Sequence, residues 1–227
     1  MDGLTVVLTY EEGQLIKAVT RGNGEIGEVI TANARTFVNI PRNISYKGRL
    51  TIRGEAIITY SDFERINQSI EDVDAKYKNP RNLCSGSVRQ LSSKVTAERS
   101  VRFYAFSLVE PEDKELLDSF EDSFKKRFDF LRGLGFDTVE YKEVDASSIP
   151  EMVKWFSDKI PDNDFPTDGL VLSFDDTVYG NLHVREESVA PVAFHGIGDV
   201  ATWYLYLLSH CQTRDTYQYI VFIVVNT

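Results

Sequence analysis

Turn chemistry between two β-rich runs constrains this chain more than any other local feature. Leu4 to Tyr10 is rich in Val, Leu and Thr, Glu11-Glu12-Gly13 supplies a turn, and Leu15 to Thr20 runs back. The chain therefore opens with an antiparallel hairpin. A run of β-branched residues spans Leu50 to Tyr60 and hands over to a helix at Ser61, where Glu64 completes a capping-box pattern. Val101 to Val109 reads as another strand, with Phe103, Ala105 and Ser107 alternating against Tyr104, Phe106 and Leu108. A helix is expected from about Ser119 to Arg132, with Phe120, Phe124, Phe128 and Leu131 on one face and Gly133 and Gly135 as stop signals. A second starts at Ser147 or Ser148, has Pro150 in its first turn, and carries Met152, Trp155 and Phe156. These aromatic stripes read as core. Gly169 to Phe174 is a short apolar strand. Strands dominate the first half without a regular strand–helix–strand rhythm and without an internal repeat, so the class is α+β with largely antiparallel sheets.

The chain has 227 residues, 42% hydrophobic and 26% charged, which suits one large domain or two small ones and excludes wholesale disorder. Its longest apolar stretches, Trp203 to Leu208 and Ile220 to Val225, fall well short of the roughly 20 residues that span a bilayer. Met-Asp-Gly-Leu-Thr has no basic region followed by an apolar run, so no secretory leader is expected. Cys84 and Cys211 are too few for a disulfide framework and lack CxxC partners. Reduced thiols and a cytoplasmic location are the corresponding expectation.

A net charge of −10 argues against a simple nucleic-acid coat. Charge is unevenly distributed, however. Lys76, Lys78, Arg81, Arg89, Lys94, Arg99 and Arg102 share their window with one acid, Glu98. That local +6 leaves −16 for the rest of the chain. An acidic protein with one basic island can hold a polyanion there. The last segment differs again: Val189 to Thr227 holds only three charged residues, Asp199, Arg214 and Asp215, and Tyr217 to Val225 combines high β-propensity with almost no charge. This tail either packs as core strands or is not a native continuation of the domain.

Four clusters carry chemistry. Thr20-Arg21-Gly22-Asn23-Gly24, followed by Glu25, Gly27 and Glu28, offers a sharp turn from which an arginine reaches a phosphate or ribose, or simply a surface turn. Arg53-Gly54-Glu55 is either a solvated charged pair on a strand or a glutamate aimed into a cleft, where it would accept hydrogen bonds from ribose hydroxyls. Asn79-Pro80-Arg81-Asn82, Ser85-Gly86-Ser87, Arg89 and Arg99 interleave small residues with guanidinium forks, which suits phosphate; the alternative is a polar loop. Asp168-Gly169-Leu170-Val171-Leu172 puts an acid at the start of a buried strand, to cap a turn or to orient a nucleophile or metal-bound water.

In this order the clusters resemble the adenylation (nucleotidyltransferase) domain of bacterial NAD-dependent DNA ligases, from Asp2 to about Gly180. The resemblance implies the covalent nucleotidyltransferase, ATP-grasp-like fold, with two antiparallel sheets and helices flanking a nucleotide cleft. It implies NAD and Mg²⁺ as cofactors. The activity implied is sealing of 5′-phosphate/3′-hydroxyl nicks in double-stranded DNA, in replication and repair, through lysyl-AMP and DNA-adenylate intermediates, by a monomer that needs no membrane. In that family a lysine in Lys-x-Asp-Gly attacks the adenylyl phosphorus. By resemblance Asp2 and Gly3 flank this nucleophile, and Arg21 and Glu55 contact the sugar and phosphates of the nucleotide. Arg81 and Arg89 match the arginines of adenylyl transfer and nick sealing, Arg99 supports them on the nucleic acid, and Asp168 matches the acid near the adenylate and metal. No metal ligand set is assigned.

The chain departs from the pattern in places. Met1 takes the x position of Lys-x-Asp-Gly, so the nucleophile would precede Met1, and neither it nor the subdomain that binds the nicotinamide mononucleotide half is expected within this chain. Ser173 stands where many relatives carry a lysine, and His195 would stand in for a lysine that contacts the adenylyl phosphate. Imidazole is a poorer permanent cation, and an ordinary half-buried histidine is an equal reading. The expected division is an adenylation core over 1–180 and a divergent tail over 181–227, completing the domain or arising from a shifted reading frame. The functional expectation is a ligase fragment that forms no lysyl-AMP alone. Its rivals are a non-catalytic nucleotide- or nucleic-acid-binding remnant and, from further off, a relative of ATP- or GTP-using RNA ligases and capping enzymes.

Overall fold

The computed structural model describes residues 1–21, 27–109, 111–145, 147–167, 169–178, 192–194 and 219–224. Strand β1 (Leu4–Glu11) turns into β2 (Gln14–Thr20) through Glu12 and Gly13, whose φ values of 51° and 79° are the left-handed pair that a two-residue hairpin requires. A short helix α1 (Thr31–Ala34) follows, then β3 (Leu50–Ile57), α2 (Tyr60–Gln68), α3 (Pro80–Val88), α4 (Ser93–Glu98) and β4 (Arg102–Leu108). Next come α5 (Lys114–Ser119), α6 (Phe124–Gly133), β5 (Tyr141–Val144), α7 (Ile149–Lys159), β6 (Gly169–Phe174), β7 (Val192–Phe194) and β8 (Tyr219–Val224). The strands form two antiparallel sheets, ordered β2-β1-β3-β4 and β5-β8-β6-β7. The protein is α+β with antiparallel pairing throughout the described strands. Among the described residues no helix is long and apolar enough to cross a membrane.

Burial follows the strand period. Val6, Leu8 and Tyr10 of β1, Leu50, Ile52 and Ala56 of β3, and Phe103 and Ala105 of β4 are buried in one core. Leu83, Cys84 and Val88 of α3 and Phe128 and Leu131 of α6 enter the same core. Tyr10 donates its hydroxyl to the Pro41 carbonyl at 2.8 Å and meets Phe136 edge-on at 5.4 Å, so its polar end is satisfied. The charge-poor tail contributes β8 to the middle of the second sheet, between β5 and β6, and β7 to its edge. Its β-propensity is thus expressed as paired strands over the described residues.

Two local expectations are corrected, and one alternative is excluded. The helix after β3 starts at Tyr60, capped by Thr59, whose hydroxyl oxygen accepts from the Asp62 N–H at 3.2 Å. Ser61 is drawn elsewhere: its N–H and hydroxyl both donate to the Asp164 carboxylate, at 3.0 and 2.6 Å. The helix expected over Ser119 to Arg132 starts only at Phe124, as α6, after the separate helix α5 has ended at Ser119. Glu121 and Asp122 both take positive φ, and Ser123 then caps α6 by accepting from the Lys126 N–H. Asp175, at the end of β6, receives the Ser123 hydroxyl at 2.8 Å and the Lys125 N–H at 2.9 Å. A tertiary carboxylate decides where that helix starts. Lastly, Asn79-Pro80-Arg81-Asn82 and the residues after it are helix α3, not a polar loop. Asn79 accepts from the Asn82 N–H at 2.8 Å with Pro80 in the first turn. Asn79→Ala should therefore destabilise the protein by about 1 kcal/mol, read as a lower urea midpoint at unchanged m-value.

Candidate functional site

Three segments far apart in sequence meet at one end of the first sheet. β1 and β3 pair antiparallel with Thr5 opposite Glu55. Glu55 therefore points inward while Arg53, two residues away in a bulged register, is exposed. The Glu55 carboxylate is 1% exposed and accepts from the Gly3 N–H at 3.1 Å and the Thr5 hydroxyl at 3.0 Å. Burial pushes its pKa up from 4.5 to about 7, while the Thr5 hydroxyl, the Gly3 N–H and nearby Arg81 pull the other way. Gly3 fits because a Cβ there would lie 2.0 Å from the Ala56 carbonyl oxygen.

Helix α3 packs across β3 and β1 and delivers the arginines. Arg81 donates to the Asp2 carboxylate at 2.7 Å. One turn on, Cys84 is buried and donates its thiol to the Ala56 carbonyl at 3.1 Å, directly behind Glu55 in the strand. Burial pushes that thiol far above its ordinary pKa, and the Glu55 carboxylate adds to the shift. It is an inert packing group. Arg89, at the C-terminal cap of α3, donates Nε to Glu28 at 2.6 Å and Nη1 to the Ser85 hydroxyl. Arg99 donates to the Ser87 hydroxyl at 3.1 Å and lies over the Tyr77 ring at 5.4 Å. Both exposed ion pairs, Asp2–Arg81 and Glu28–Arg89, are of a kind worth about 0–1 kcal/mol. An incoming phosphate can take either guanidinium at small cost.

Of the residues singled out in the sequence, Asp2, Gly3, Glu55 and Arg81 share direct contacts, and Arg89 and Arg99 flank them on α3 and just beyond α4. Arg21 is exposed, and its N–H donates to the Thr5 carbonyl at 3.0 Å, one strand away from Glu55. Asp168 and His195 lie outside the described residues, as do 22–26. The Asp2 N–H donates to the Pro166 carbonyl at 2.8 Å, so the segment that leads into Asp168 runs beside Asp2. Sequence reasoning assigned no role to Thr5, Tyr77 or Cys84, and it noted Glu28 without seeing its partner. All four act through contacts 12 or more residues distant, and the stacking of Tyr77 with Arg99 depends in addition on where α4 lands. Among the described residues no group of three or more acidic, histidine or cysteine side chains could hold a metal ion. Both Glu55 oxygens already accept from Gly3 and Thr5, and Asp2 Oδ1 is paired with Arg81. The described residues thus do not make a resident Mg²⁺ site.

The geometry defines an α+β domain with a buried, protonatable glutamate beside a row of displaceable arginines, which suits a phosphorylated ligand bearing hydroxyls. Comparison with known proteins gives this class its family. Residues 1–182 match the NAD-dependent DNA ligase adenylation domain, and the chain belongs to that family. It is 60% identical over 180 residues to a DNA ligase of Ruminiclostridium cellulolyticum, covering 79% of this chain and 27% of that protein. It is 57% identical, over the same shares, to a DNA ligase of Lachnoclostridium phytofermentans. With a DNA ligase of Brachyspira hyodysenteriae the identity is 38% over 178 residues. The chain spans about a quarter of the length of these curated relatives.

Proposed function

We propose that residues 1–180 form the catalytic core of an NAD-dependent DNA ligase, built on the covalent nucleotidyltransferase fold, with 181–227 as a divergent segment that completes the second sheet. The observation that carries this reading is the convergence of Asp2 and Gly3, Glu55, and Arg81, drawn from three separate motifs of the family pattern, at one end of the first sheet. NAD supplies the adenylyl group that such an enzyme transfers to a DNA 5′-phosphate. Glu55 accepts the ribose hydroxyls, since a carboxylate already ordered by Gly3 and Thr5 pays little further entropy to bind them. Asp2 and Gly3 hold the backbone beside the reacting lysine, Arg21 reaches the nucleotide from the end of β2, and Asp168 and His195 act near the adenylyl phosphate. Arg81 and Arg89 exchange their carboxylate partners for phosphate oxygens and neutralise charge there. Arg99, stacked on Tyr77, supports them on nicked DNA.

A domain exchange tests this. Residues 1–180 replace the matching segment of the Ruminiclostridium ligase, and sealing of a labelled nicked duplex is followed. The chimera should seal nicks, and Arg89→Ala in it should slow sealing by about 100-fold, the scale of one lost electrostatic contact to a transition state. A folded chimera that binds AMP yet seals nothing would instead favour a nucleotide-binding remnant.

A further inference from the structure

The turn between α3 and α4 is held from several sides. Asn33, itself buried, donates its side-chain amide to the carbonyls of both Val88 and Gln90 at 2.8 Å. Gln90 donates its side-chain amide to Gly86 at 2.8 Å, and the Thr96 hydroxyl donates to the Ser87 carbonyl at 2.9 Å. On this pinned backbone Leu91 is wholly exposed, at 107% of its reference area. A leucine on a mobile loop could fold back onto the surface; here the carbonyl of Gln90, the residue before it, is fixed, as are those of Ser87 and Val88. It also stands inside the basic island, between Arg89 and Lys94. Val29 is exposed too, next to Glu28, the carboxylate that holds Arg89. An apolar group is therefore presented rigidly among cations, a pairing that attracts neither a free nucleotide nor an acidic peptide as well as it suits duplex DNA.

We infer that Leu91 is a DNA contact that enters the minor groove at the nick while the arginines around it take the phosphates. This rests on the ligase reading above and names a residue that the reading does not use. The minor groove is about 6 Å wide, too narrow for a helix but open to one aliphatic side chain, and leucine is among the residues that wedge between base steps there. A nick removes the backbone restraint on one strand, which lowers the cost of opening the adjacent step. Leu91 itself makes no phosphate contact, so its contribution is independent of salt, unlike that of Arg89.

The test is a titration of the full chain at low salt with a nicked duplex carrying 2-aminopurine beside the nick. Anisotropy reports binding and fluorescence reports unstacking. Wild-type protein should bind with a rise in 2-aminopurine emission. Leu91→Ala should bind about tenfold more weakly, on the scale of one buried aliphatic side chain, with no rise and an unchanged salt slope, and Leu91→Phe should restore the signal. Equal affinity and equal emission for wild type and Leu91→Ala would overturn the inference alone. So would weaker binding with the emission rise intact. A folded wild-type chain that fails to bind nicked duplex would overturn the ligase reading and this inference together.

Discussion

Gly54→Ala should cost the protein about 3 kcal/mol of stability, a larger loss than its single added methyl suggests. A Cβ at this position would lie 2.3 Å from Cζ of Phe103 and 2.5 Å from the Tyr104 carbonyl oxygen. Neither neighbour can yield easily. Phe103 is 1% exposed at the centre of the core, and Gly54 and Ala105 sit opposite each other where the β3–β4 register shifts. Overpacking of this kind usually costs about 1–3 kcal/mol, and a carbonyl in a sheet ladder places it at the upper end. Urea unfolding measures it, with exposed Arg53→Ala as the neighbouring control, expected within about 0.5 kcal/mol of wild type. A Gly54→Ala protein as stable as that control would show that β3 and β4 do not approach as closely as described. The same substitution should weaken AMP binding, because Glu55 is the next residue on the strand.

Glu55→Gln should do two opposite things: stabilise the fold at neutral pH and weaken nucleotide binding. In the folded protein the carboxyl holds its proton up to about pH 7, against 4.5 ordinarily. Between those values the folded state binds more protons than the unfolded one, so stability falls as pH rises from about 4.5 to 7 and then levels off. A shift of that size corresponds to about 3 kcal/mol lost across the window. Glutamine has no charge to bury, and the Thr5 hydroxyl can accept from its amide as readily as it donates to the carboxylate. The variant should therefore show a nearly flat stability from pH 5 to 8 and exceed wild type at pH 8. A charged acceptor holds hydroxyls more tightly than a neutral one by about 1 kcal/mol or more, so AMP affinity should fall about tenfold. If chemical denaturation across that pH range leaves the wild-type slope in place in Glu55→Gln, the pH dependence comes from another group.

Both predictions concern a motif whose letters are visible in the sequence and whose meaning is not. Arg53-Gly54-Glu55 on a strand admits a solvated charged pair or a glutamate in a cleft. Period-two alternation puts Arg53 and Glu55 on one face of an unbulged strand, yet Arg53 is exposed and Glu55 buried. The pairing with β1, which sets Thr5 opposite Glu55, and the cover supplied by α3 decide the outcome. The basic segment after Asn79 shows the same limit. Its Gly and Ser content lowers helix propensity, and burial of Leu83, Cys84 and Val88 against the sheet overrides it. Ser119 to Arg132 errs the other way: Phe124, Phe128 and Leu131 of the stripe lie in α6, but Phe120 falls in the break before it, which is held by Asp175, more than 40 residues beyond.

What the sequence by itself determined is what depends on neighbours along the chain. That covers the opening hairpin through its Gly13 turn, the α+β class with antiparallel sheets, the core stripes of Phe128 and Leu131, and the order of motifs that marks the family. The strand tendency of the charge-poor tail belongs here as well, since β8 lies within Tyr217 to Val225. Tertiary structure alone decided which charges are spent and which are available. Arg81 reaches Asp2 across 79 residues and Arg89 reaches Glu28 across 61, and Glu55 is buried by strands and a helix from three separate parts of the chain. Local propensity is an energy of adjacent residues, whereas a pKa or an ion pair is set by distance and solvent exclusion in space, and those exist only once the chain has folded.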